Sequence, residues 1–237
     1  MKNLQDAISN ANWLAAADHL NESGYAIIPS ILTDDLCTQL IDEYGNKDLY
    51  RKTVSMERYR FGKGEYKYFR YPLPDTIQTI RDCVYPYLAP IANGWMEVLK
   101  IDTRFPLSHD QLKASCHAQQ QLQPTPLILR YGAGGFNTMH QDLYGNVFFP
   151  MQVLFVLNDP DKDFSGGEFV LTEQIPRAQS KAIVLKPKKG DLLIFTTQFR
   201  PVRGTKGYYR VNMKHGVSEV HSGNRHSLGV IFHDATT

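Results

Sequence analysis

The stretch PLILRYGAGGFNTMHQDLYG, residues 126–145, decides how this chain is read. It opens on an apolar run, Leu127–Tyr131, turns through Gly132, Gly134 and Gly135, and closes on His140 and Asp142. A run of that length between turn residues predicts a buried strand. Further runs of the same β-branched and aromatic texture follow at 147–157, 167–172, 181–185, 191–197, 208–217 and 225–233, punctuated by Gly, Pro and Asn. Short strands at this spacing predict a closed or double-layered antiparallel structure instead of βαβ units.

Upstream of Pro126 the texture differs. Leu4, Ala7, Ile8, Ala11, Leu14, Ala15 and Leu20 fall mainly at helical spacing, and Gly24 supplies a stop. Residues 25–31 predict a short strand. Thr33 before Asp34 and Asp35 predicts a helix start, because the hydroxyl accepts from free amides and the carboxylates oppose the dipole; Leu36, Leu40 and Ile41 supply its apolar stripe. Another helix is expected over 75–99, broken or bent at Pro86 and Pro90. His109, Cys116 and His117 fall in a polar stretch that reads as loop, where a structural or solvated role is the default. The economical organisation is one domain, 1–237, with a helical and substrate-lid part (1–125) packed against a β-core (126–237).

The composition, 237 residues with 42% hydrophobic, 21% charged and a net charge of +2, is that of an ordinary globular protein and excludes a disordered, collagen-like or coiled-coil chain. No apolar run approaches the roughly 18 to 20 residues that span a bilayer, and Met1–Asp6 lacks the basic-then-apolar order of a signal peptide, so a soluble, cytoplasmic protein is expected. Cys37, Cys83 and Cys116 show no CxxC spacing and suggest neither a disulfide scaffold nor a thiolate zinc site. Charge is uneven. Residues 173–214 hold ten basic side chains against Glu173 and Asp191, and 51–71 interleaves seven Lys and Arg with six Tyr and Phe. Such stretches suit a polyanion or, as readily, a solvated face. Residues 58–71 read equally as a lid or base-stacking platform and as a half-buried strand.

His140-x-Asp142 presents an imidazole and a carboxylate on one face of an extended chain. A third ligand must come from elsewhere; His215 lies on a later strand that can return opposite the pair, and His221 competes with it. Two histidines and one carboxylate leave three positions open on a metal, as in non-haem Fe(II) oxygenases. Arg225 and Ser227 share a face of the last apolar strand, where an inward guanidinium is costly without an anionic partner and is suited to the far end of a dicarboxylate; periodicity alone fits a surface Arg on an edge strand as well. His226 alternates with them and faces the other way.

The order Tyr131, Gly134, His140-x-Asp142, Gly166-Gly167-Glu168, Gly190-Asp191, His215-Gly216-Val217 and Arg225-x-Ser227 resembles the 2-oxoglutarate- and Fe(II)-dependent dioxygenases. More narrowly, 129–235 is similar to a prokaryotic family of oxygenases expected to act on nucleic acids. The resemblance implies a mainly β (α+β) fold, a double-stranded β-helix (jelly roll) with N-terminal helices packed on it. It implies Fe(II) on His140, Asp142 and His215, O2 as oxidant, and 2-oxoglutarate anchored by Arg225 with Ser227 and Tyr131. The family pattern, with ten residues from His215 to Arg225, favours His215 over His221.

Two departures from the demethylating branch stand out: Leu129 replaces its Asn, and its second Arg is missing among the apolar neighbours of Ile231. Two substrate classes follow, a nucleic-acid base, or a protein side chain (prolyl-type) or small molecule such as an amino acid. Gln141, Leu143, Tyr144 and Asn146 flank the ligands and are pocket candidates.

Overall fold

The computed structural model describes residues 2–175 and 177–237. Among the described residues, five α-helices, α1 (Lys2–Ser9), α2 (Trp13–Ser23), α3 (Asp34–Asp42), α4 (Asp75–Val98) and α5 (His109–Ala118), lie in the N-terminal half. The strands are β1 (Tyr25–Ile28), β2 (Tyr50–Ser55), β3 (Gly62–Lys63), β4 (Glu65–Phe69), β5 (Leu127–Tyr131), β6 (Phe136–His140), β7 (Met151–Val156) and β8 (Phe164–Gly166). They continue with β9 (Phe169–Gln174), β10 (Lys181–Leu185), β11 (Leu192–Thr196), β12 (Phe199–Gly204), β13 (Gly207–Val217), β14 (Val220–Gly223) and β15 (Arg225–Ile231).

All strand pairs within the sheets are antiparallel. A seven-stranded sheet runs β1-β11-β7-β15-β5-β4-β2, and a second runs β10-β9-β13-β6-β3 with β12 paired to β13. Leu129, Tyr131, Leu154, Val156 and Ile231 of the first pack in one apolar cluster with Phe169, Leu171, Val211, Met213 and Val217 of the second. The alternate residues Ile128, Val153, Phe155, Leu228 and Val230 face the helices in the other cluster. Each central strand is therefore buried on both faces, which is why Val153–Val156 of β7 and Leu228–Ile231 of β15 read as apolar runs instead of alternating ones. This is the jelly roll with helices against one face.

The helical half departs from expectation in three places. The 4–20 pattern is two helices, because Asn12 accepts from the Ala15 amide and caps a new start. α4 is a single helix through Pro86 and Pro90 instead of breaking at them. Each interior proline costs about 3 kcal/mol, whereas burial of Ile77, Ile80, Val84, Leu88 and Trp95 returns about 1.5–3 kcal/mol per large apolar side chain. His109, Cys116 and His117 lie on α5, not in a loop. The first 125 residues also supply β1 to β4, so part of the sheet framework precedes Pro126. Among the described residues no helix is long and apolar enough to cross a membrane.

The tail after β15 is locked to the helices by a buried ion pair. Arg81 of α4 donates to Asp234 Oδ1 (2.8 Å) and to the Phe232 carbonyl (2.6 Å), and both charged side chains are fully buried. Tyr71 donates to Asp234 Oδ2 (2.8 Å), and His117 Nε2 lies 3.0 Å from the same oxygen. Removing one partner strands the other charge in the core. Asp234→Ala is expected to lower unfolding stability by about 3–5 kcal/mol; urea denaturation with an unchanged midpoint would show that the pair contributes nothing.

Candidate active site

β6 ends on His140, and β13 is registered against it so that His215 is the Cα partner of His140. The two rings sit with centroids 4.2 Å apart. Asp142, two residues past the strand end, turns its carboxylate between them: His215 Nε2 is 3.2 Å from Oδ2 and His140 Nε2 is 3.6 Å from Oδ1. One ligand atom from each of the three residues lies within 4.8 Å of the others. The His140 Nδ1 is 2.8 Å from the Thr138 carbonyl, which can only accept, so Nδ1 carries a proton and Nε2 is the nitrogen turned toward Asp142.

The carboxylate is held from both sides. Tyr144 donates its hydroxyl to Oδ1 (2.8 Å), and the Gln152 amide donates to Oδ2 (2.9 Å). Each oxygen has a second lone pair, so these bonds orient the group without using up its capacity. Burial pushes the Asp142 carboxyl up, but the His215 hydrogen bond, the charges of His215 and His140, and the Gln152 amide outweigh it and hold it well below the usual carboxylate range. Burial and the neighbouring His140 lower the His215 pKa against the pull of Asp142, which favours the neutral imidazole a metal needs. Two imidazole nitrogens and one carboxylate oxygen on one side of a point form the donor set of a facial Fe(II) site.

Arg225, Ser227 and Tyr131 form a second polar group in the same interior. Arg225 pairs in register with Tyr131 across β15 and β5, and Arg225 is 1% exposed. Its guanidinium donates to Ser227 Oγ (3.1 Å), its Nε has no partner, and the Tyr131 hydroxyl is buried and unpartnered. Burial pushes Tyr131 up to about 12, against the charge of Arg225. Burial also lowers the Arg225 pKa, opposed by Tyr131 and Glu168. A fully buried cation with spare donors and an idle hydroxyl beside it fits the distal carboxylate of a small dicarboxylate.

Tyr131, Ser227 and the three candidate ligands line one cavity of about 250 Å³. Part of its wall is aromatic: Phe61, Tyr66, Tyr68 and Tyr144. Tyr144 bonds Tyr68 (3.2 Å) as well as Asp142, so β4 is tied to the candidate ligands through two phenols.

Other histidines lie elsewhere. His221 is exposed on β14; His226 turns to the opposite face of β15, where its Nδ1 meets Asn158 (3.0 Å). His109 bridges Asp82 (3.1 Å) and the Phe232 carbonyl (3.0 Å). His233 accepts from the Phe149 amide (3.1 Å), and burial pushes its pKa down to about 4. Of the pocket candidates, Tyr144 and Gln141 line the cavity, Leu143 lies at its rim with 52% exposed, and Asn146 is exposed outside it. Gln141 spends its amide on the Gln198 and Met213 carbonyls. Sequence reasoning misses Gln152, although a lone amide in the run Met151-Gln152-Val153-Leu154 is a legible signal of a buried polar task.

Residues 64–235 match the family Oxygenase-NA, described as "Oxygenase, catalysing oxidative methylation of damaged DNA". The Mycobacterium tuberculosis proteins Rv2227 and MT2286, both named as uncharacterized, are 41% identical over 192 residues, covering 81% of this chain and 77% of theirs. Among solved structures, a 2OG-Fe(II) oxygenase-family oxidoreductase from Burkholderia pseudomallei superposes with a TM-score of 0.56 at 15% identity, covering 95% of this chain and 93% of its own. A Trichoplax adhaerens prolyl hydroxylase, solved with a hypoxia inducible factor peptide fragment, gives 0.54 at 16% identity over 99% and 93%. At these identities the structures attest the shared fold.

Metal titration separates the roles. His215→Ala is expected to abolish stoichiometric binding of Fe(II) or Co(II), while His221→Ala leaves it unchanged. Gln152→Ala is expected to weaken it by about 10–100-fold through the loosened carboxylate; wild-type affinity in that variant would show Gln152 to be packing alone.

Proposed function

The chain belongs to the Oxygenase-NA family of 2-oxoglutarate- and Fe(II)-dependent dioxygenases, and on that premise we propose that it oxidises an alkyl C–H bond on a nucleic-acid base. The observation that carries the substrate class is the aromatic wall formed by Phe61, Tyr66, Tyr68 and Tyr144 around the cavity that holds His140, Asp142 and His215. A planar base taken out of its stack is read by aromatic faces and a few polar groups in such a pocket. We take 1–237 as one oxygenase unit, because β1 to β4 complete the sheets that carry the site.

His140 Nε2, His215 Nε2 and an Asp142 oxygen would hold Fe(II), and Arg225, Ser227 and Tyr131 would hold 2-oxoglutarate by its far carboxylate. With O2, the bound iron and cosubstrate supply oxidation of a C–H bond to an alcohol, releasing CO2 and succinate. The protein's part is placement. Gln152 and Tyr144 fix the carboxylate, the Thr138 carbonyl holds the His140 tautomer, and the apolar walls Leu127, Leu129, Leu154 and Ile231 keep water from the reacting carbon. Where that carbon is an N-methyl group, the alcohol is a hemiaminal that falls apart to formaldehyde and the bare nitrogen.

The test is Fe(II)-dependent succinate formation with and without an N-methylated single-stranded oligonucleotide, with product mass read in parallel. The oligonucleotide is expected to accelerate succinate release and to lose the mass of a methylene. A basal rate unmoved by any oligonucleotide would remove the nucleic-acid reading and turn the search to amino acids, peptides and small metabolites. Asp142→Ala is expected to form no succinate, and Arg225→Ala to raise the KM for 2-oxoglutarate on the order of 10–100-fold by loss of a charged hydrogen-bonded anchor. Wild-type KM in that variant would place the cosubstrate elsewhere.

A further inference from the structure

We propose that the turn between β2 and β4, residues 56–64, is a stacking shelf for a base neighbouring the oxidised one in a single-stranded nucleic acid; the inference rests on the nucleic-acid reading above. The turn leaves two large aromatic side chains in solvent at the mouth of the cavity. Tyr59 is 54% exposed and Phe61 46% exposed. Their rings lie 5.5 Å apart with only 19° between planes, stacked on one another, so the pair is a short preformed stack with an outer ring face left to extend it. Phe61 is also part of the cavity wall, which joins this surface to the pocket of the candidate ligands.

The shelf is anchored to the strand that carries His140. The Thr138 amide and hydroxyl both donate to the Phe61 carbonyl (2.8 Å each), two residues before His140. Gly62 and Lys63 pair with Asn137 and Phe136 of β6, and the turn is closed by Phe61 to Met56 and Met56 to Gly64 backbone bonds of 3.1 and 2.9 Å. Only glycine permits this approach. A Cβ on Gly62 would stand 2.2 Å from the Phe136 carbonyl oxygen, and one on Gly64 would stand 2.8 Å from the Tyr131 ring, both at left-handed φ (139° and 151°). The aromatic pair is thus fixed relative to His140 instead of hanging on a free loop.

Its charge selects the partner. Arg58, Arg60 and Lys63 are exposed on the same turn against one carboxylate, Glu57. Exposed aromatic faces with interspersed cations suit a chain whose bases stack and whose linkages are anionic. An acidic or proline-containing peptide offers the charge or the flat face but not both at each step. The occupant is therefore single-stranded DNA or RNA, one base in the cavity and its neighbour on Tyr59 and Phe61.

Fluorescence anisotropy of a labelled single-stranded oligodeoxynucleotide, about 12 nucleotides long, with enzyme loaded anaerobically with Fe(II) and 2-oxoglutarate, tests the shelf. The pair Tyr59→Ala with Phe61→Ala is expected to weaken binding on the order of 10-fold, and the pair Tyr59→Trp with Phe61→Trp to retain it. Arg58→Gln with Arg60→Gln is expected to flatten the slope of log affinity against log salt by about 0.7 for each phosphate that is no longer neutralised, a readout that a structural change in the turn would not produce. Wild-type binding that is unchanged in the alanine pair would overturn the shelf and leave the nucleic-acid reading standing. Absence of wild-type binding tighter than about 100 μM to DNA or RNA, or binding of a proline-containing peptide in its place, would overturn both.

Discussion

The register of β13 against β6 is the constraint on which the site depends. β13 is hydrogen-bonded between β9 and β6, with His215 opposite Leu171 on one side and His140 on the other. Val211, Met213 and His215 are its inward residues, and its exposed alternates face solvent. A slip of one residue would send His215 outward and bring Lys214 into an apolar cluster, so the burial of Val211 and Met213 fixes the imidazole as firmly as any polar contact does. Asp142, just outside the ladder, is then positioned by side chains. Tyr144 and Gln152 complete in three dimensions what β pairing begins in one.

Charge sets two polar groups apart in this interior. Around them pack Leu129, Val156, Phe169, Phe195 and Met213. The carboxylate of Asp142 is surrounded by four donors or imidazoles, whereas Arg225 has one hydroxyl and an idle Nε. The first group is a finished set around a point, the second an unfinished one. A buried guanidinium left with spare donors is costly to the free protein and favourable to whatever anion relieves it. The contrast between these two groups is what supports the role proposed for Ser227 and Tyr131 beside Arg225.

Much of this is legible in the chain itself. Runs 127–131 and 181–185 coincide with β5 and β10, and Thr33 caps α3 through the Leu36 amide, because short apolar runs and capping residues act locally. His140-x-Asp142 is legible because two ligand types two positions apart in the chain need no tertiary information. What escapes a sequence reading requires distance along the chain. Gln152 meets Asp142 and His215 only when β7 and β13 are folded together, and Tyr68 reaches Tyr144 across the sheet interior. α5 escapes because its buried residues, His109, Leu112 and Cys116, include a histidine and few large apolar side chains. Of the stretch 58–71, Glu65–Phe69 is the half-buried strand that one reading expects, whereas 58–61 is an exposed turn outside it.

β15 shows why fold and chemistry are separable here. Leu228 and Val230, with Phe232 just beyond the strand, point to the helices, where Arg81 and Asp234 close the core. Arg225, Ser227, Gly229 and Ile231 point the other way, Arg225 toward Tyr131 and the last three into the cavity wall. One strand thus divides its residues by parity between the helix-packed core and the cavity. The helix-facing residues answer to volume, and their replacement is felt as reduced stability. Of the others, Ser227, Gly229 and Ile231 line the cavity beside His140, Asp142 and His215. Because the helices cover only the first face, the second is free to be lined by whatever the substrate requires, and in this chain it is lined by tyrosines.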